Sequence, residues 1–227
     1  MALINKKSNS DINNIIYALL YSTLISIALV SINAYKSHSL WYYFLIYNLA
    51  LAYLPALLAW WLIIRLKNAP WLSTGNIILT ILWLGFLPNS FYMITDLIHA
   101  DTSIGIDLLY NIVMIMLCIF NAVVAGYISL YLIHTQLLKR FYYRYVHIFI
   151  GMVLLLCSFA IYLGRFLRWN SWDVIVNPLG LLFDVSDSIE SPATHPEVLS
   201  TTLTFFLLLS AVYIIIWQIS KLLKKQK

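Results

Sequence analysis

Apolar residues fall in six long blocks, and polar residues are mostly confined to the short breaks between them. The blocks are Ile15 to Tyr35, Leu40 to Ile64, Asn76 to Thr95, Asp107 to Ile133, Val146 to Leu167 and Thr201 to Ser220. Each reaches the roughly twenty residues a helix needs to cross a bilayer core. The predicted fold is therefore all-α: a polytopic integral membrane bundle of six transmembrane helices, forming a single transmembrane domain over residues 1–227. The first block follows Lys6 and Lys7, as a signal peptide would. It is long for such a segment, and no clean small-x-small cleavage site follows it, so it reads as a retained helix.

One connection is long. Residues 171–200 form an expected extracytoplasmic loop, in which the apolar run Val174 to Phe183 is too short to span and is followed by an acidic stretch. The run is expected to lie in the outer interface; the alternative is a lid dipping back over the bundle.

Composition gives the same picture. The chain is 62% hydrophobic and 10% charged, too few polar side chains to cover a soluble fold of this length, so lipid does the covering. The net charge of +5 does not indicate nucleic acid, because the basic residues sit in short clusters between apolar runs. They set topology instead. Lys6, Lys7, Arg65, Lys67, Lys139, Arg140, Arg144, Lys221, Lys224, Lys225 and Lys227 fall on one side, and only Lys36, Arg165 and Arg168 on the other. Both termini are thus expected in the cytoplasm. Apart from Asp11, the acids Asp96, Asp101, Asp107, Asp173, Asp184, Asp187, Glu190 and Glu197 are all placed outside. Trp41, Trp169 and Trp172 then mark the outer interface, and Trp60, Trp61, Trp71 and Trp217 the inner one. Cys118 and Cys157 lie inside apolar blocks without a CxxC partner and read as small buried side chains.

Charged groups at membrane depth are costly and usually face the protein interior. On the third span, Asn89, Tyr92, Asp96 and His99 fall within an arc of roughly 80° at α-helical spacing. On the fourth, Asp107, Asn111, Cys118, Asn121 and Ser129 share a face, beside the small pair Ala122 and Gly126. On the fifth, Gly151, Ser158, Tyr162 and Arg165 share a face, with Trp169 beyond them. Facing one another, these three spans would form a polar pocket open to the extracytoplasmic side. The first, second and sixth spans carry no such stripe and are expected to serve as scaffold and lipid contact. Pro88 removes a helix hydrogen bond just before Asn89 and is expected to give a packing kink.

Within that pocket Asp96, paired with His99, is the acid–base candidate for catalysis. Arg165 and Arg168, with Trp169, Asn170 and Asp173, suit an anionic headgroup, since arginine holds phosphate or carboxylate through two parallel hydrogen bonds. Asn89, Tyr92, Asp107 and Asn111 complete the ligand-binding set. The competing reading is structural: an ion pair of Arg165 with Asp96 or Asp107, and snorkelling of the arginines. Even with His195 from the long loop, the Asp and His spacing does not define a metal site. No cofactor is expected, and no soluble-enzyme motif is present.

Two segments carry a family resemblance. They are Trp83 to His99 (WLGFLPNSFYMITDLIH) and Tyr162 to Pro178 (YLGRFLRWNSWDVIVNP), with Gly126 to His134 as a third, shorter stretch. Together they resemble the bacterial membrane family known as domain of unknown function 1361. The chain departs from that pattern at Phe91, where the family often has a second proline. The resemblance implies a multi-pass protein of the bacterial cytoplasmic membrane, and no activity or catalytic residue. The leading functional expectation is binding or processing of an anionic lipid-linked or small anionic ligand at the outer face. The alternatives are a small-solute transporter, against which no inverted repeat is evident, and a non-enzymatic accessory or assembly protein of the membrane.

Overall fold

In the computed structural model, six helices are long and apolar enough to cross a membrane, and no strand occurs among the described residues. The structure describes residues 2–100, 106–169, 173–190 and 196–225. Asn170, expected to bind ligand, lies outside them, as do Asp101, Trp172 and His195.

The helices are α1 (Ala2–Ser37), α2 (Phe44–Arg65), α3 (Thr74–Tyr92), α4 (Leu108–Leu138), α5 (Tyr143–Phe166), α6 (Asp173–Val176), α7 (Pro178–Glu190) and α8 (Pro196–Lys225). The apolar spans are Asn14–Ser37, Trp41–Arg65, Thr74–Ala100, Leu108–Leu138, Tyr143–Phe166 and Glu197–Leu223. All six expected blocks are thus found, each within a few residues, except that the third runs further, through a 3₁₀ helix at Met93–Ala100, and the fourth runs further as well, to Leu138. The stretch 171–200 is not a plain loop, because α6 and α7 occupy much of it. Asn177 and Pro178 explain the start of α7. Asn177 Oδ1 accepts from Gly180 N–H at 3.1 Å, and proline fits the first helical position, where no N–H is needed.

The chain divides into two compact units. One holds Met1–Leu51 and Met93–Val124, the other Ala52–Tyr92 and Ala125–Lys227.

In the first unit, α1 and α4 are joined by polar bonds, two of them buried and one half-buried. Asn33 Nδ2 donates to Asn111 Oδ1 at 2.9 Å, Asn121 Nδ2 to Ser26 Oγ at 3.0 Å, and Tyr110 OH to Leu29 O at 2.8 Å. Ser26, Asn33 and Asn121 have no exposed surface. In hydrocarbon such groups are costly without a partner inside the protein, and of these atoms Asn121 Oδ1 has none among the described residues. The first span, expected as plain scaffold, therefore carries a polar face of its own.

In the second unit, α2, α3 and α4 meet around Pro55. Trp83 Nε1 donates to Ser129 Oγ at 2.6 Å, Ser129 to Pro55 O at 3.0 Å, and Ser90 to Ala52 O at 2.7 Å. A proline inside a helix upsets the local carbonyl ladder, and two serines on neighbouring helices occupy carbonyls there. Gly126 lets α4 approach α3 closely: a Cβ there would lie 2.6 Å from Ser90 Cβ and 3.2 Å from the Phe91 ring. Farther along α4, His134 Nδ1 lies 2.7 Å from Tyr213 OH on α8, and the His134 ring stacks on Trp217 at 4.0 Å. Cys118 and Cys157 are buried and free.

Candidate functional site

The residues expected at the site belong to both units. Asp96, His99, Asp107 and Asn111 lie in the first; Asn89, Tyr92, Arg165, Arg168, Trp169 and Asp173 lie in the second.

In the first unit the local bonds are structural in kind. Asp107 is exposed, and its Oδ1 accepts from Tyr110 N–H at 2.8 Å. That is a helix N-cap: the carboxylate satisfies an otherwise unpaired amide and sits at the positive end of α4. Asn111 is bonded to Asn33. Asp96 is 2% exposed and accepts from Asn48 Nδ2 at 3.2 Å. His99 is half-buried, its ring set edge-on to Phe44 (5.4 Å) and Trp41 (6.5 Å), while its carbonyl accepts from Tyr42 OH. The chain leaves α-helical geometry after Tyr92, so Asp96 and His99 progress at about 120° per residue and not 100°. The single α-helical stripe expected from Asn89 to His99 is therefore two differently wound segments.

In the second unit the outstanding feature is the end of α5. The helix closes at Phe166, and both Leu167 N–H and Trp169 N–H donate to Leu163 O, at 3.1 and 3.2 Å. Between them Arg168 adopts φ 60°, the left-handed conformation that helix ends usually assign to glycine. For a residue with a Cβ this costs about 1–2 kcal/mol. His38, just after α1, adopts the same conformation at φ 50°, so the geometry is that of a helix end.

Arg165 is half-buried on the last turn, and among the described residues its guanidinium makes no hydrogen bond or ion pair. Arg168 does have an electrostatic or hydrogen-bonding partner. Tyr92, from α3, packs on Gly164, where a Cβ would meet its ring at 3.0 Å. Trp169 is half-buried and fixed by its indole N–H, which donates to Asp184 Oδ2 on α7 at 2.8 Å. Two expected site residues, Tyr92 and Trp169, therefore flank the Gly164 turn next to Arg165. Asn89 and Asp173 are half-buried and engaged in interactions of their own. Ser158, expected on the polar stripe of α5, donates to Leu154 O within its own helix and presents no free polarity.

Sequence reasoning missed Asp184, because an acid sixteen residues beyond Arg168 carries no local signal toward Trp169. It also missed Ser26 and Asn33, whose seven-residue spacing places both on one helical face. Among the described residues, no group of three His, Cys, Asp or Glu side chains is placed to hold a metal.

Neither curated proteins nor solved structures show a match to the chain. A family model matches residues 47–216, a wider stretch than the segments quoted above and one that includes the whole α5 end. The chain, a multi-pass membrane protein by its six apolar helices, belongs to the family described as protein of unknown function (DUF1361).

Proposed function

We propose that this membrane protein binds an anionic headgroup, of a phospholipid or a lipid-linked phosphate compound, at the extracytoplasmic end of α5. The observation that carries the reading is Arg165: a half-buried cation at the end of a membrane span with no anionic partner among the described residues. A cation at that depth is costly unless an anion or the interface receives it. Arg168 supports it as a second guanidinium at the same helix end. Trp169, fixed by Asp184, and Tyr92, seated on Gly164, supply rigid aromatic walls beside the arginine. The exposed apolar residues at the end of α6 (Val176) and along α7 (Leu179, Leu182 and Phe183) suit a segment lying in the interface next to that headgroup. The basic residues at the opposite ends of the spans support this orientation.

The test is binding of phosphatidylglycerol and of phosphatidylcholine, with identical acyl chains, to the purified full-length protein in detergent. Read at the α5 end with a photoreactive lipid analogue, wild type should prefer the anionic lipid there, and the Arg165→Ala/Arg168→Ala variant should lose about tenfold or more of that local preference, since a charged hydrogen bond contributes at least that factor. Arg168→Gly removes a guanidinium while relieving backbone strain, so it should weaken binding without lowering stability. An unchanged local preference in the double variant rejects the proposal.

A further inference from the structure

The second unit also contains a cleft of about 380 Å³ between α2 and α3, lined by Trp61, Ile64, Arg65, Gly75, Ile78 and Leu79. Five of its six walls are apolar or glycine, and the sixth is a guanidinium. Arg65 is not loosely placed. Its Nε donates to Asn76 Oδ1 at 3.1 Å, and Asn76, with no exposed surface, is itself fixed by donating from Nδ2 to Pro70 O at 2.9 Å. One edge of the guanidinium is thereby anchored, and both η nitrogens remain without a partner among the described residues. The guanidinium lies directly on Gly75; any Cβ there would collide with Nη2. It also lies at the start of α3, where the dipole end is positive, while the Asn76 and Ile77 amides there already donate to Ser73 O. Two positive ends are thus adjacent. The neighbouring stretches add Lys67, Lys139, Arg140 and Arg144 and contain no acid.

We infer that this cleft is a binding site for an anionic phospholipid. The phosphate would be held by the two η nitrogens of Arg65 at the start of α3. An acyl chain would lie along Trp61, Ile64, Ile78 and Leu79. The charge of the site selects an anion, and its apolar walls select one that carries a chain over a free phosphate. A guanidinium already fixed by Asn76 gives up little freedom on binding, so its hydrogen bonds to phosphate are gained at low entropic cost. By the charge asymmetry of the chain, this site faces the cytoplasmic leaflet. It is independent of the site proposed at the end of α5.

The experiment uses the full-length protein on the Arg165→Ala/Arg168→Ala background, so that the two proposals fail separately. Phosphatidylglycerol binding is measured by native mass spectrometry, with phosphatidylcholine and free glycerol phosphate as competitors. Arg65→Gln should weaken phosphatidylglycerol binding about tenfold or more. Gly75→Ala, which displaces the guanidinium without removing it, should also weaken binding. Arg140→Gln removes a nearby charge that lies outside the cleft and should change binding less than about twofold. Equal binding by wild type and Arg65→Gln overturns the assignment. So does equal loss in Arg140→Gln, which would mean diffuse attraction, and so does full competition by glycerol phosphate, which would mean a small-anion site. Gly75→Ala guards against misfolding: it removes no hydrogen-bonding group from the chain, and wild-type binding by this variant would also count against the site.

Discussion

Gly126 allows a sharp test of how the second unit is packed. An alanine Cβ at this position would lie 2.6 Å from Ser90 Cβ, whereas ordinary contact begins near 3.4 Å. The clash cannot be relieved by a rotamer change, because Ser90 Cβ is attached to the α3 backbone. Ser90 is also fully buried and tied to Ala52 O at 2.7 Å. The Phe91 ring, 3.2 Å from the same Cβ, is fully buried as well. Helix α4 must therefore move away from α3 by most of an ångström. Overpacking of this kind costs about 1–3 kcal/mol. Alanine also favours helix over glycine by about 1 kcal/mol, which would obscure the effect in a single measurement. Gly85 and Gly151 supply the correction. Both are helical, and a Cβ at either would meet nothing within 4 Å, so alanine there should be neutral or stabilising. The difference between Gly126→Ala and these two substitutions isolates the packing cost, since the propensity gain is common to all three. Cys118 and Cys157, buried and unpaired, provide the readout: a thiol-reactive fluorophore reports unfolding as the protein is heated in detergent. For a chain of this size each kcal/mol corresponds to roughly 2–4 °C. Gly126→Ala should melt below wild type, and Gly85→Ala and Gly151→Ala at or above it. Equal melting of all three variants would refute the close approach of α4 to α3.

Three further outcomes follow from the structure. Asn33→Leu and Asn111→Leu should each destabilise the first unit, while the double variant should recover part of the loss, with a coupling of about 0.6–2 kcal/mol in a double-mutant cycle; strictly additive effects would contradict the Asn33–Asn111 bond. Asp107→Ala should cost about 1 kcal/mol by removing the α4 cap and Asp107→Ser should restore most of it, both read by thermal melting; a serine variant as unstable as alanine would show that the carboxylate does something other than capping. In intact cells, Ser186→Cys on α7 should react with a membrane-impermeant maleimide and Lys67→Cys only after permeabilisation; the reverse pattern would invert the topology and with it both binding proposals.

The spans were legible because crossing a bilayer is a requirement on length and polarity, which a sequence displays directly. The start of α7 was legible in principle at Asn177–Pro178, a cap followed by a first-turn proline, but its apolar run drew attention to the membrane interface and away from the helix. What the sequence hid depends on winding and on distant partners. The stripe from Asn89 to His99 assumed one α-helix, and the change to 3₁₀ winding at Met93 invalidates that projection. Asp107 falls inside the fourth apolar block, which conceals the capping role that its position just before Leu108 makes plain. Ser26 and Asn33 each looked like an isolated polar residue in an apolar run, and only the approach of α4 gives them meaning. From sequence, Arg65 shows only its charge. Its anchoring by Asn76, eleven residues away across a turn, follows from no helical periodicity.

The central claim is that an anionic lipid headgroup sits at Arg165 and Arg168, and photolabelling tests it most directly. Membranes containing the protein and a phosphatidylglycerol analogue with a photoreactive headgroup would be irradiated, and the labelled peptides identified by mass spectrometry. Label is expected in residues 163–169 that excess phosphatidylglycerol displaces and excess phosphatidylcholine does not, and that Arg165→Ala/Arg168→Ala abolishes. Absence of label from that segment, or label there that the double variant retains, would contradict it.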